Sequence, residues 1–147
     1  WAGNEPNILA PWMFSFAGKE YHNYTAYWTR YLVDHQYSIS GNDGLPGNDD
    51  FGTLSAWLTW SVLGFYPMAG TSTSIVGAPR FARVCIHRDV GTLCVVGHKV
   101  SNPTFTHVKK CMLNGVLLDT PFFDWQEIAK GNSTIEFWMS DRPGKWG

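Results

Sequence analysis

Two short segments gather oxygen-bearing side chains where loops can present them. Gly41-Asn42-Asp43-Gly44-Leu45-Pro46-Gly47-Asn48-Asp49-Asp50 sets three carboxylates and two side-chain amides on a loop stiffened by three glycines and one proline. It leads directly into an apolar helical run at Phe51. A simple turn needs one Gly with one Asn or Asp, so the surplus of oxygens points to chemistry. A second polar knot, Gly3-Asn4-Glu5-Pro6, stands in the same position relative to another helix. Carboxylates held this way can move protons. Asn4, Glu5, Asn48, Asp49 and Asp50 also form an oxygen-only set of the kind calcium takes, with about six to eight ligands from carboxylates, amides and carbonyls. The five histidines show no zinc spacing. Asp49 and Asp50 have a plainer reading, as caps of the helix that starts at Phe51. Neighbouring side chains on a loop diverge, so one of the two can face a substrate while the other binds a metal, orients its partner or caps the helix.

The elements that must position these residues fall into two parts. Of the 147 residues, 44% are hydrophobic and 16% aromatic, enough for one compact domain or two small lobes. A net charge of -1 leaves no basic stripe for a phosphate backbone, which argues against nucleic acid as a partner. The longest apolar run, Trp57 to Tyr66, is interrupted by Thr59 and Ser61 and is far short of the ~20 residues of a membrane span. The chain begins at Trp1 and reads as a processed or truncated product, so the absence of an export signal carries little weight.

Before Pro67 the pattern is helical. Asn7 can cap a run containing Ile8, Leu9, Trp12, Met13 and Phe16, with Gly18 at its end. A second helix is expected from His22 to Tyr37, with Tyr24, Tyr27, Trp28, Tyr31, Leu32 and His35 on one face. A third is expected from Gly52 to Phe65, stopped by Pro67. Three helices are too few for a closed domain, and faces this rich in Trp and Tyr call for further helices to pack against. Trp12, Trp28, Trp57 and Trp60 are expected to be mostly core.

After Pro67, Ser74 to Gly77, Phe81 to His87, Thr92 to Val96, Thr106 to Leu113 and Ile135 to Met139 read as strands of an antiparallel sheet. Asn114-Gly115 is the strongest hairpin signal. A turn at Asp89-Val90-Gly91 would set Cys85 opposite Val95 or Val96, which disfavours a bond to Cys94; Cys111 is the third thiol. Asn23-Tyr24-Thr25 and Asn132-Ser133-Thr134 are sequons that would accept glycans in a secretory chain, whereas Asn102-Pro103-Thr104 is barred by its proline.

Gly3-Asn4-Glu5-Pro6, Gly44-Leu45-Pro46-Gly47-Asn48-Asp49-Asp50-Phe51-Gly52, Ser55-Ala56-Trp57 and Leu63-Gly64-Phe65-Tyr66-Pro67 together resemble the C-terminal part of glycoside hydrolase family 92, the calcium-dependent exo-α-mannosidases. The likeness is specific from Trp1 to about Phe81 and looser to Gly147. It implies an α+β fragment of a larger two-domain enzyme. Residues 1–68 would be the last helices of an (α/α)6 catalytic barrel, and residues 69–147 a small antiparallel β-region. The missing parts would be an N-terminal β-sandwich and the earlier barrel helices.

The implied activity is calcium-dependent inverting removal of terminal α-linked mannose from an oligosaccharide or glycoprotein glycan. The resemblance favours Asp50 as general base with Asp49 supporting it, and a glutamate upstream of Trp1 as general acid. Asn4, Glu5 and Asp50 would hold calcium shared with the substrate. Asn4, Glu5, Trp1 and Phe51 would contact the sugar, the two aromatics by stacking. Family habit implies a secreted or periplasmic location. The rival readings are a non-catalytic calcium- or mannose-binding module and a purely structural C-terminal fragment.

Overall fold

A computed structural model describes residues 1–40 and 44–144. Gly41, Asn42 and Asp43 of the polar loop, and the terminal residues 145–147, lie outside the described residues. The first expected helix is instead two 3₁₀ stretches, Glu5–Asn7 and Ala10–Phe16. Each has a proline in its first two positions, where a missing N–H is tolerated. Short-range bonds such as Trp12 N–H to the Leu9 carbonyl, 2.9 Å, close the turns. Asn7 therefore ends the first stretch and caps no α-helix.

The first α-helix, α1 (His22–Gln36), forms as its periodicity predicts, but it turns the aromatic face outward. Tyr24, Tyr27, Trp28 and Tyr31 are 38 to 49% exposed, whereas Thr25, Ala26 and Thr29 are buried. Trp28 is thus not core, while Trp12 and Trp57 are fully buried. The small residues let α1 lie close against the Ala10–Phe16 stretch. Their hydroxyls are satisfied in place, Thr25 by Ser15 Oγ at 2.9 Å and Thr29 by donating to its own helix at the Thr25 carbonyl, 2.7 Å.

The second helix, α2 (Thr53–Leu63), stops at Gly64 and not at Pro67. Gly64 adopts φ 90° and donates to the Trp60 and Ser61 carbonyls at 3.0 and 3.2 Å, a left-handed C-cap that glycine enters without a Cβ penalty. Phe65-Tyr66-Pro67 then becomes a strand.

The remaining chain builds two sheets. Strand β1 (Phe65–Pro67), β2 (Thr73–Val76) and β7 (Phe122–Asp124) form an antiparallel sheet in the order β1-β2-β7. The larger sheet comprises β3 (Arg83–Arg88), β4 (Gly91–His98), β5 (His107–Leu113), β6 (Val116–Leu117) and β8 (Ser133–Ser140), in the order β3-β4-β8-β5-β6. A single-turn helix, α3 (Gln126–Ala129), precedes β8. The short elements β1, β7 and α3 carry too little periodicity to be expected from sequence. The sheet is mixed and not purely antiparallel, because β8 pairs parallel to β4 and antiparallel to β5. β8 enters after an excursion through β6, β7 and α3, and only such a crossover lets a strand run parallel to its neighbour. Alternate residues Ile135, Phe137 and Met139 of β8 face inward and join Phe65, Val76, Val95, Val108 and Ile128 in one core. The helix gives way to strand at Gly64, and β1 and β2, which lie on either side of residues 68 and 69, pair with each other.

The Asn114-Gly115 hairpin forms as expected, with both residues at positive φ, 50° and 82°, and Leu113 opposite Val116. The β3–β4 turn differs from expectation. Arg88 pairs with Gly91, so the turn has two residues, and the register moves by one. Cys85 then lies opposite Cys94 with Cα atoms 4.1 Å apart, and the two form a disulfide. Cys111 is buried and free. The cross-link closes a short loop, which corresponds to about 2–3 kcal/mol on the chain-entropy account. Cys85→Ser/Cys94→Ser in the full-length protein is therefore expected to lower the melting temperature measured by calorimetry, while an unchanged transition would mean that the bond contributes nothing.

Candidate active site

The first polar knot is anchored at both ends. Ala2 is buried, and its N–H donates to Gln36 Oε1 at 2.7 Å, which ties the start of the chain to the end of α1. Asn7 N–H donates to the Asn4 carbonyl at 2.9 Å, closing the turn that carries Glu5. Trp57 Nε1 reaches from α2 to the Ile8 carbonyl at 2.8 Å, and its ring stacks on Tyr37 with centroids 5.7 Å apart.

The second knot is pressed against the first. A Cβ on Gly47 would collide with the Gly3 carbonyl, and one on Gly3 would collide with the Pro46 carbonyl and the Trp1 ring. These glycines are needed for a close approach of backbones. Their contact makes neighbours of two segments more than forty residues apart in sequence.

Asp49 and Asp50 point to different tasks. The Asp49 carboxylate accepts Ser55 N–H at 2.9 Å and Ser55 Oγ–H at 2.5 Å, so it caps the first turn of α2. Asp50 is exposed, and its carbonyl accepts Thr53 Oγ1–H at 2.7 Å. Its carboxylate has no hydrogen-bond partner among the described residues. Phe51 and Gly52 follow at φ 55° and 77°. Two successive left-handed residues turn the chain sharply from the loop into α2, and for Phe51 that conformation is sparsely populated. The Phe51 ring stands fully in solvent.

Trp1 is 68% exposed and lines an open groove of about 490 Å³ with Asn7, Phe14, Trp28, Tyr31 and Gln36. Asn4 is exposed and Glu5 half-buried. Of the expected site residues, then, Trp1, Asn4, Glu5, Asp49, Asp50 and Phe51 all lie on the two abutting segments or at their ends. Burial, the Asp49 charge and Tyr66 together push Tyr37 up to about 12, so its phenol stays neutral. No three His, Cys, Asp or Glu side chains converge to hold a metal ion among the described residues. A cation here would need amide and carbonyl oxygens, ligands that calcium accepts and zinc does not favour. Asn4, Glu5 and Asp50 offer one amide and two carboxylates whose oxygens have no hydrogen-bond partner among the described residues. Ser55 was missed as a site residue. It is six positions from its carboxylate partner, a spacing that becomes a contact only through the turn at Phe51–Gly52.

The model of the glycosyl hydrolase family 92 catalytic domain matches residues 1–141. The chain belongs to glycosyl hydrolase family 92. It is similar to a family GH92 α-mannosidase from Bacteroides thetaiotaomicron solved in complex with mannoimidazole, with 26% identity and a TM-score of 0.89 over 99% of this chain and 19% of that one. A family GH92 inverting mannosidase from the same organism matches at 27% identity and a TM-score of 0.82, over 97% of this chain and 19% of that one. An uncharacterized secreted glycosidase of Arthroderma benhamiae is 23% identical over 99% of this chain and 19% of its own length. The chain thus spans about a fifth of these relatives. No helix among the described residues is long and apolar enough to cross a membrane.

The Ser55 hydroxyl, the Ser55 N–H and the Leu54 N–H hold the Asp49 carboxyl below its ordinary 3.8. Stability gained from a lowered carboxyl is fully present above the unfolded value and is lost as pH falls through the folded one. Ser55→Ala removes the strongest of these donors and should shift the onset of acid destabilisation, followed by tryptophan fluorescence, to higher pH; coincident acid curves would remove Asp49 from this role.

Proposed function

We propose that the chain is the C-terminal part of the catalytic region of an exo-α-mannosidase that removes terminal α-linked mannose with inversion. The observation that carries this reading is the pairing of the two polar knots at Gly3 and Gly47, with Asp49 engaged by Ser55 and the neighbouring Asp50 carboxylate left uncommitted. Family membership and the likeness to two mannosidases supply the substrate class.

Asp50 is the general base. Its carboxylate takes a proton from a water molecule, whose oxygen attacks the anomeric carbon as the bond to the leaving oxygen breaks. A carboxylic acid upstream of Trp1 gives its proton to that leaving oxygen. Asp49 acts through the backbone, fixing the start of α2 and so the direction in which Asp50 projects. Trp1 and Phe51 offer exposed rings for stacking on sugar, and Asn4 and Glu5 offer an amide and a carboxylate for its hydroxyls. Calcium would be held by Asn4, Glu5 and Asp50; when bound it supplies positive charge to the vicinal hydroxyls of the sugar and favours ring distortion.

Residues 1–68 form the last helices of an (α/α)6 barrel, and earlier helices of the same polypeptide cover the outward aromatic face of α1. The exposed rings on that face support this. The enzyme works outside the cytosol, a reading supported by the Cys85–Cys94 disulfide and by the secreted fungal relative.

In the full-length protein Asp50→Asn is expected to lower kcat on an aryl α-mannoside by about 10²–10⁴-fold, the range for a lost general base. Full turnover would eliminate Asp50 from catalysis. Chelation of calcium should abolish turnover and added calcium restore it. A chelated enzyme that keeps its rate would sink the metal's role, and mannose binding without hydrolysis would indicate a binding module.

A further inference from the structure

The two intact sequons have opposite surroundings. Asn23 is 5% exposed on α1, and its Nδ2 donates to the Gly144 carbonyl at 2.6 Å. That nitrogen is the atom an N-linked glycan would occupy, so the folded chain has neither room nor a free amide there. Asn132 is exposed in the turn between α3 and β8. Its Oδ1 accepts the Thr92 N–H at 2.9 Å, capping the start of β4. A glycosidic bond to Nδ2 leaves that oxygen free to keep the same hydrogen bond. The turn is held from below: Arg88 donates to the Gly131 carbonyl at 2.9 Å and to the Ile128 carbonyl at 2.6 Å, and Gly91 packs directly on the Gly131–Asn132 backbone. On the other side a Cβ at Gly131, which has φ 68°, would meet nothing within 4 Å. The backbone is thus fixed, while Asn132 itself is exposed and its Nδ2 has no hydrogen-bond partner among the described residues.

We infer that Asn132 is an N-glycosylation site and that Asn23 is not. Transfer forms a bond between Asn132 Nδ2 and the first sugar of a lipid-linked oligosaccharide, releases the lipid pyrophosphate and sheds one amide proton. The glycan projects from the end of the larger sheet, beside the β3–β4 turn. The inference rests on the proposed export of the enzyme, and the disulfide in the neighbouring hairpin belongs to the same oxidising environment.

The test is secretion of the full-length protein from a eukaryotic host, followed by peptide-N-glycosidase in heavy-oxygen water and peptide mapping. The expected result is isotope-marked conversion at Asn132, none at Asn23, and loss of the mark in Thr134→Ala, which removes the sequon and leaves the Asn132–Thr92 bond intact. Thr134→Ser should retain it. Secreted protein with unmodified Asn132 overturns the site while leaving export standing. Protein retained in the cell with Asn132 unmodified overturns both, and a modified Asn23 overturns the accessibility argument that separates the two sequons.

Discussion

The candidate site depends on two backbones meeting where no side chain fits. Gly3 and Gly47 touch so closely that a Cβ on either would overlap the opposing chain. A hydrogen bond there could tolerate some displacement, but steric exclusion at this range rises steeply with distance and cannot. The segments on either side are fastened independently, by Ala2 to Gln36 and by Trp57 to the Ile8 carbonyl. The glycine contact therefore converts two loops into one surface and places Asn4, Glu5 and the end of the acidic loop on it.

The two adjacent carboxylates differ in that the one of Asp49 is bonded and the one of Asp50 has no hydrogen-bond partner among the described residues. Asp49 gives both oxygens to Ser55 and becomes part of the helix terminus. Asp50 sits one residue later, before a left-handed turn at Phe51 and Gly52 that reverses the chain into α2. Backbone strain of this kind persists where surrounding contacts over-determine it, and the Asp49–Ser55 clamp supplies such a constraint. An exposed Phe51 ring gains nothing from the folded core in return.

The remainder of the fold acts as a brace. The large sheet and α1 bury a shared core that includes Ala26, Leu63, Phe65 and Phe137, so the helical part and the β-region support each other across β1 and β2. The aromatic wall of α1 faces the other way. The chain spans about a fifth of its relatives' length.

Sequence alone determined the elements with strong local signals. α1 follows from its period, the β5–β6 hairpin from Asn114-Gly115, and the two polar knots from their surplus of oxygens over any turn's needs. These are properties of neighbours along the chain. Tertiary structure decided what neighbours could not. It chose the small face of α1 for burial because Thr25, Ala26 and Thr29 allow close approach, and it set the β3–β4 register that joins Cys85 to Cys94 through a turn one residue shorter than expected. The parallel placement of β8 between β4 and β5 and the clamp of Asp49 by Ser55 also arose only in three dimensions. Each depends on which surfaces meet, and the free energy of meeting is set by packing and desolvation summed over both partners, a quantity no single segment encodes.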